Sequence, residues 1–130
     1  LSAAEIRSTA STGSSSTSTG SLVVTGGVGI GGQLTAVTIV ETSSIALKEN
    51  VQPIENALEK IVQLAGVIYD RKDGSSTSEP GLIAEDVKKV IPELVTDNSE
   101  SVYYTKIGAY LIEAIKSLKE DIDTVKQKLG

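Results

Sequence analysis

The clearest hydrophobic pattern lies at the C-terminal end of the chain. Apolar residues recur there at alternating intervals of four and three positions: Leu111, Ile115, Leu118, Ile122, Val125 and Leu129. Charged residues fill the other face, so this heptad seam predicts a helix over about residues 106–129. The seam has two interpretations. It packs against other helices in a coiled coil, or it covers the core of its own domain, since only about three heptads are present.

Shorter helical and extended patterns alternate in the residues before this helix. Apolar residues at a 3.6-residue spacing indicate helices, and Pro53 suits a first helical position. The predicted elements are a helix over residues 53–65, a strand over 67–69, a loop or hairpin tip over 73–80, a helix over 82–91 and a hairpin formed by 93–96 and 101–105. These elements predict a small α+β domain.

The N-terminal third has a different pattern. Residues 1–42 contain 16 Ser or Thr and 7 Gly but only three charged side chains. Two β-prone runs, 22–24 and 34–40, flank the Gly-rich run 26–32. This segment has too few apolar residues for a core of its own, so we expect it to pair with copies of itself in an intertwined, trimeric β-structure. The alternative is a disordered leader.

Composition excludes several kinds of chemistry. The chain has no His and no Cys, which excludes the usual zinc sites, disulfides and Ser-His-Asp or Cys-His catalytic groups. The formal net charge of −5 argues against nucleic-acid binding. No apolar run is long enough to span a bilayer, and no secretory signal is visible. We therefore expect no metal, no cofactor, no nucleic acid and no membrane among its partners.

Two segments carry candidate chemistry. Residues 27–32 fit G-x-G-x-x-G, but a β-prone run follows where a dinucleotide site needs a helix. Ser43 stands five residues before Lys48, where the composition changes. A serine can be activated by a lysine whose amine is kept neutral by burial. The spacing alone is weak, because a Ser-rich linker that runs into a charged segment looks the same.

The second part of the chain resembles a known family. The run Ser-x-x-x-Leu-Lys-x-Asn-Val at residues 43–51 resembles the start of the intramolecular chaperone domain of phage tail spikes, tail fibres and neck appendages, the peptidase S74 family. The resemblance continues to about residue 129 in order and spacing. Its further pieces are Pro-Ile-x-x-Ala-Leu-x-Lys-Ile at 53–61, Gly-Val-x-Tyr at 66–69, Gly-Leu-Ile-Ala-Glu-Asp-Val at 81–87, Ile-Pro-Glu-Leu-Val at 91–95, Tyr104 and Leu-Ile-x-Ala-Ile-x-x-Leu at 111–118.

The resemblance implies an activity and its residues. Domains of this family assemble three fibre chains in register and then cut themselves off. Cleavage would occur at the Thr42–Ser43 bond, with Ser43 as nucleophile and Lys48 as general base. The family often has an acid directly after the nucleophile, where this chain has Ser44, so Ser44 is an alternative nucleophile. Cleavage would follow assembly, since only a site that excludes water favours a neutral lysine.

The resemblance also implies domain organisation and partners. Residues 1–42 would be the end of a fibre or stalk, and residues 43–130 the chaperone domain. Its partners would be two further copies and the upstream fibre, in a virion tail or appendage precursor assembled in the host cytoplasm. The trimer rests on the family, because Ile and Leu at alternate seam positions are typical of two-stranded coils. A non-cleaving trimerisation module at a fibre tip, or an adhesin tip, is the alternative.

Overall fold

A computed structural model of the protein describes residues 5–130. Its helices are α1 (Ala57–Ile61), α2 (Ala84–Val90) and α3 (Ile107–Leu129), and its strands are β1 (Val67–Tyr69) and β2 (Glu79–Gly81). Single 3₁₀ turns occur at Ile45–Leu47, Pro92–Leu94 and Tyr104–Lys106. The described residues fall into two compact units, one that ends at Leu47 and one that spans Lys48–Gly130. Mixed helices, a small antiparallel sheet and a long C-terminal helix make the second unit α+β.

The second unit has a small core of its own. Its buried side chains are Ala57, Ala84, Val87, Ile91, Leu94, Val95, Tyr110 and Ala114. The most deeply buried is Ile91, which is fully inaccessible to solvent. These residues come from α1, α2, the 3₁₀ turn after α2 with the residues on either side of it, and the first half of α3. The core therefore ties the C-terminal helix to the rest of the unit at one end only.

The long helix α3 confirms the prediction made from the heptads. It begins within one residue of the expected start and ends at Leu129. Its buried residues, Tyr110 and Ala114, lie four positions apart and so face the core together. α1 packs against this helix.

The first helix is shorter than its hydrophobic pattern predicts. α1 covers Ala57–Ile61 instead of residues 53–65, and Pro53 is not at its first position. Asn56 has a φ of 55°, in the left-handed region, so a right-handed helix cannot run through it. After Ile61 the backbone continues in tight turns, with the amide of Leu64 bonded to the carbonyl of Ile61. The apolar spacing identified the face that packs but not the ends of the helix.

The β-hairpin formed by β1 and β2 is antiparallel, with Val67 opposite Gly81 and Tyr69 opposite Glu79. β1 confirms the predicted strand. The end of the region expected to be a loop is part of β2, because Glu79 and Pro80 pair with β1. A proline is compatible with an edge strand, where its missing N–H removes no bond between strands.

The second predicted hairpin is reduced to a single bridge between Val95 and Val102. On one side the amide of Thr96 donates to the carbonyl of Ser101, and on the other the amide of Tyr103 donates to the carbonyl of Leu94. The 3₁₀ turns at Pro92–Leu94 and Tyr104–Lys106 replace the outer parts of the two expected strands. The helix predicted at 82–91 is α2, one or two residues shorter at each end.

The first unit is described from residue 5, so residues 1–4 of the predicted fibre segment lie outside the described residues. From residue 5 to residue 47 every residue is exposed except the half-buried Gly20. This confirms that the segment does not build its own core. The structure assigns no strand between residues 5 and 44. A strand needs a partner for its backbone N–H and C=O groups, so the intertwined β-structure stays a prediction about several copies.

Candidate functional site

The segment expected to be cleaved leads into a single 3₁₀ turn. Thr42, Ser43 and Ser44 directly precede the turn at Ile45–Leu47. The amide of Leu47 donates to the carbonyl of Ser44 at 3.0 Å, and the amide of Ala46 donates to the Ser44 hydroxyl oxygen at 3.2 Å. Ser44 therefore caps the turn through both its backbone and its side chain. Ser43 stands one residue before this cap.

Lys48, the expected general base, is the first residue of the second unit. Two residues later Asn50 has a φ of 52°, in the left-handed region that asparagine tolerates better than most residues. All residues from 41 to 53 are exposed in the single chain. The surroundings that would exclude water from a serine–lysine pair are therefore not supplied by burial within one copy.

The heptad seam of α3 lies outside the core. Its six side chains keep between 42% (Leu111) and 83% (Leu129) of their surface exposed. The face that covers the domain core is a neighbouring one, which carries Tyr110 and Ala114. α3 thus has both faces that the sequence left as alternatives: one packs within the chain, and the seam is apolar and exposed. A continuous exposed apolar face marks an interaction surface.

A polar network at the β-hairpin was not anticipated from the sequence. The carboxylate of Glu79 accepts hydrogen bonds from Tyr69 Oη at 2.7 Å, from Arg71 Nε at 3.0 Å and Nη2 at 2.9 Å, and from the Ser76 hydroxyl. The hydrogen bonds from Arg71, which has the largest effect, and then from the Ser76 and Tyr69 hydroxyls lower the pKa of Glu79 to about 2. Glu79 is thus a charged acceptor at neutral pH, which gives it a structural role and not that of a proton donor.

This network could have been predicted only from the register of the two strands, and the sequence pattern does not reveal that register. Tyr69 and Glu79 are directly opposed on β1 and β2. Arg71 follows Tyr69 by two positions and so points to the same side. Once the hairpin is known, an Arg–Glu pair across it is expected; without β2, Glu79 looks like a loop residue.

A second contact ties the hairpin to the start of α3. The amide of Leu82 donates to Tyr104 Oη at 2.9 Å. Gly81 lies beneath the rings of Tyr69 and Tyr104, and a Cβ at this position would stand 2.8 Å from Tyr104 Oη and 3.0 Å from Tyr69 Cε1. Only glycine fits here without a shift. The tyrosines border a cleft of about 420 Å³ together with Glu79, Leu82 and Glu85.

The buried Tyr110 anchors α3 to the turn after α2. Its hydroxyl donates to a carboxylate oxygen of Glu93, and the Lys60 ammonium lies 5.7 Å from its ring centroid. Burial, followed by the bond to Glu93, raises the pKa of Tyr110 to about 12. The same bond lowers the pKa of Glu93. Tyr110 therefore stays protonated and serves as a hydrogen-bond donor near the core, not as a base.

The described part of the chain contains neither a cluster of metal-binding side chains nor a helix that could span a membrane. Within residues 5–130 no group of three or more acidic side chains is arranged to hold a metal ion. In the same residues, no helix has both the length and the apolar character that a membrane span requires.

Comparison with known families gives a match to one of them. Residues 43–96 match the family Peptidase_S74, described as chaperone of endosialidase. These residues belong to that family. The Peptidase_S74 match begins at Ser43, includes the 3₁₀ turn, α1, the hairpin and α2, and ends just after Val95. The helix α3 lies beyond it.

Two relatives extend the similarity beyond the Peptidase_S74 match. The chain is 36% identical over 98 residues to the long tail fiber protein Gp37 of Enterobacteria phage K3 and, to the same extent, to that of Enterobacteria phage T2. Each similarity covers 67% of this chain. The chain spans only 8% of the first relative and 7% of the second, so it corresponds to a small part of each fibre protein.

Proposed function

We propose that this chain is an intramolecular chaperone that brings three copies of a phage tail fibre or appendage protein into register and then releases itself by autoproteolysis at the Thr42–Ser43 bond. The observation that carries the proposal is the start of the family match at residue 43. This is the residue expected to be the nucleophile, and it lies where the charge-poor segment ends. The chaperone domain then covers residues 43–130, and residues 1–42 end the fibre.

The proposed reaction uses two side chains. Lys48 Nζ takes the proton from Ser43 Oγ, which attacks the carbonyl carbon of Thr42. The bond from that carbon to the Ser43 nitrogen breaks, and the proton passes from Lys48 to the nitrogen, which leaves as an amine. Water then hydrolyses the Thr42 ester on Ser43 Oγ, so that Thr42 gains a carboxylate and Ser43 recovers its hydroxyl. The start of the family match at residue 43 supports Ser43 over Ser44 as the nucleophile.

Exposure of the segment supports control by assembly. Residues 42–48 are all exposed in one copy. Water stabilises a charged ammonium over a neutral amine, and burial does the reverse. A base at Lys48 would therefore become effective only when other copies or the folded fibre cover this segment. Cleavage would then report that assembly is complete.

The exposed seam supports self-assembly through α3. Residues of the seam repeat at coiled-coil spacing and stay exposed when the chain is alone. The partners proposed are two further copies and the upstream fibre of the same polypeptide. Both relatives are long tail fiber proteins, which supports a role in a virion precursor that is assembled in the host cytoplasm.

The test is a longer chain that carries more of the upstream fibre, followed on a denaturing gel. The parent should split after Thr42, whereas Ser43→Ala and Lys48→Ala should stay intact. Lys48→Arg is the matched control for charge, because arginine keeps the positive charge but does not act as a base. Ser44→Ala should still be cleaved.

Two results would change the proposal. Splitting that persists in both Ser43→Ala and Lys48→Ala would exclude the serine–lysine pair. A parent chain that stays intact while it forms a trimer would favour the alternative, an assembly module that remains attached at the fibre tip.

A further inference from the structure

Charged residues border the seam of α3 on both sides. In the heptad, Leu118 and Val125 occupy position d, and Ile122 occupies position a. Asp121 and Lys128 then fall at position g, and Lys119 and Lys126 fall at position e. Side chains at e and g lie beside the a and d residues and meet those of a neighbouring helix, where they set partner choice and orientation.

Only one of these flanking charged residues forms an ion pair within the helix. Lys119 forms an ion pair with Asp123, four positions further along the same helix. Asp121 and Lys126 form no ion pair with any described residue from 5 to 130. Lys128 also forms no ion pair with a described residue, so one negative and two positive side chains are left along the exposed seam for a neighbouring helix.

From this pattern, and resting on the self-assembly proposed above, we infer that the α3 helices of three copies pack parallel and in register, with Asp121 of each copy paired to Lys126 of the partner subunit. In a parallel coil a g residue meets the e residue five positions further along the next helix. Asp121 and the partner's Lys126 have this separation. The occupant of the seam is therefore a further copy of the same chain.

The antiparallel alternative brings like charges together. An antiparallel pair with full overlap places Leu111 against the partner's Leu129, which sets e against e and g against g. Lys119 would then face the partner's Lys119, and Asp121 would face the partner's Asp121. Like charges at such positions are unfavourable. The apolar seam permits both directions, and the charged flanks select the parallel one.

Orientation can be tested directly, because the chain has no native cysteine. Leu129→Cys in the full chain should form a disulfide with the same residue of another copy under mild oxidation. A mixture of Leu129→Cys and Leu111→Cys chains should give no heterotypic 111–129 product. These species are separated by mass on a non-reducing gel, and the matched control is Glu120→Cys, on the outer face of the same helix.

The ion pair can be tested by exchange of charge. Asp121→Lys and Lys126→Asp should each weaken association at low salt by on the order of tenfold, while the double variant should recover it. Glu120→Lys makes the same change of charge away from the seam and should leave association unchanged. The differences should disappear at about 1 M salt, where the screening length is about 3 Å. Native mass and sedimentation give the association constants.

Three other results would each overturn part of the proposed arrangement. Heterotypic 111–129 disulfides in an oligomer would overturn the parallel arrangement and leave the proposed self-assembly standing. Failure of the double variant to recover association would overturn the Asp121–Lys126 pairing. A parent chain that remains a monomer at all concentrations would overturn both the inference and the self-assembly on which it rests.

Discussion

The two units of this protein differ in how they treat their apolar side chains: the second unit buries a set of them within one copy, and the first unit leaves them exposed. In the second unit α1, α2 and part of α3 bury a core around Ile91, so one copy excludes water from a set of apolar side chains. In the first unit Leu34, Val37 and Ile39 are exposed. Most hydrogen bonds there join residues a few positions apart, such as those from the amides of Ser15 and Ser16 to Thr19 Oγ1. The second unit has a hydrophobic core with which a single copy can fold, whereas the first unit has none and needs other chains to bury its apolar side chains.

The difference gives the order of events that a chaperone at the end of a fibre requires. A unit with its own core can fold before its neighbours are in place. Under the proposed self-assembly, its exposed seam would then bind further copies and bring together the segments that build no core of their own. The core is small, as expected when part of a domain's stability comes from association.

The largest difference between the two units is expected when the same side chain is removed from each of them. Ile91→Ala removes a fully buried residue and should lower the free energy of unfolding of the second unit by about 2–5 kcal/mol. Ile39→Ala, the matched change at an exposed residue, should alter it by less than about 0.5 kcal/mol. Chemical denaturation followed by circular dichroism measures both. Equal effects would mean that the two units share one core.

The next largest effect is expected when a charged side chain is placed in the seam. Ile122→Lys should reduce association by about 2–3 kcal/mol per copy, since it replaces an apolar contact between copies, and should leave the helix content of a single copy unchanged. Thr124→Lys puts the same side chain on the outer face of α3 and should have little effect. Light scattering and circular dichroism separate the two quantities. Loss of helix in Ile122→Lys would show that the seam serves the single chain instead.

A smaller effect is expected where the hairpin meets α3. Gly81→Ala brings a methyl group to 2.8 Å from Tyr104 Oη and should destabilise the second unit by about 1–3 kcal/mol. Tyr104→Phe removes that oxygen, so the double variant should be more stable than the sum of the two single changes implies. Thermal denaturation of the four proteins completes the cycle. Simple additivity would contradict the contact.

The smallest effect is the response of the hairpin to acid. The pKa of Glu79 is held at about 2, below its usual 4.5, so its network stabilises the fold at neutral pH and loses that contribution as the pH falls from about 4.5 to about 2. Glu79→Gln should therefore make the melting temperature less sensitive to pH in this range. Glu85→Gln, in the same cleft but outside the hydrogen-bond network, should retain the sensitivity of the parent. An unchanged acid response in Glu79→Gln would exclude the network as its source.

The sequence pattern predicted a helix that spans several turns and a strand made of adjacent β-prone residues. α3 followed from its heptads, and β1 from three adjacent β-prone residues. The ends of α1 did not follow, because the left-handed conformation of Asn56 leaves no mark on the apolar spacing. β2 was missed for a similar reason: Pro80 and Gly81 disfavour a strand, and only the pairing with β1 makes them one.

At the candidate site, less could be predicted from the sequence than for the helices and strands. The seam residues could be named from spacing, but which face of α3 covers the core could not, since Tyr110 and Ala114 form a second stripe beside the first. Ser43 and Lys48 were reached through the family resemblance and not from their spacing. The Glu79 network required the strand register. Contacts between residues distant in sequence are what the pattern along a chain does not contain.

The most direct test of the account is the mass of the purified protein, expressed with upstream fibre residues, under native and denaturing conditions. A complex of three copies is expected in native solution. Denaturation is expected to release a fragment that begins at Ser43 and ends at Gly130. A single intact chain that is a monomer in native solution would contradict both the assembly and the cleavage.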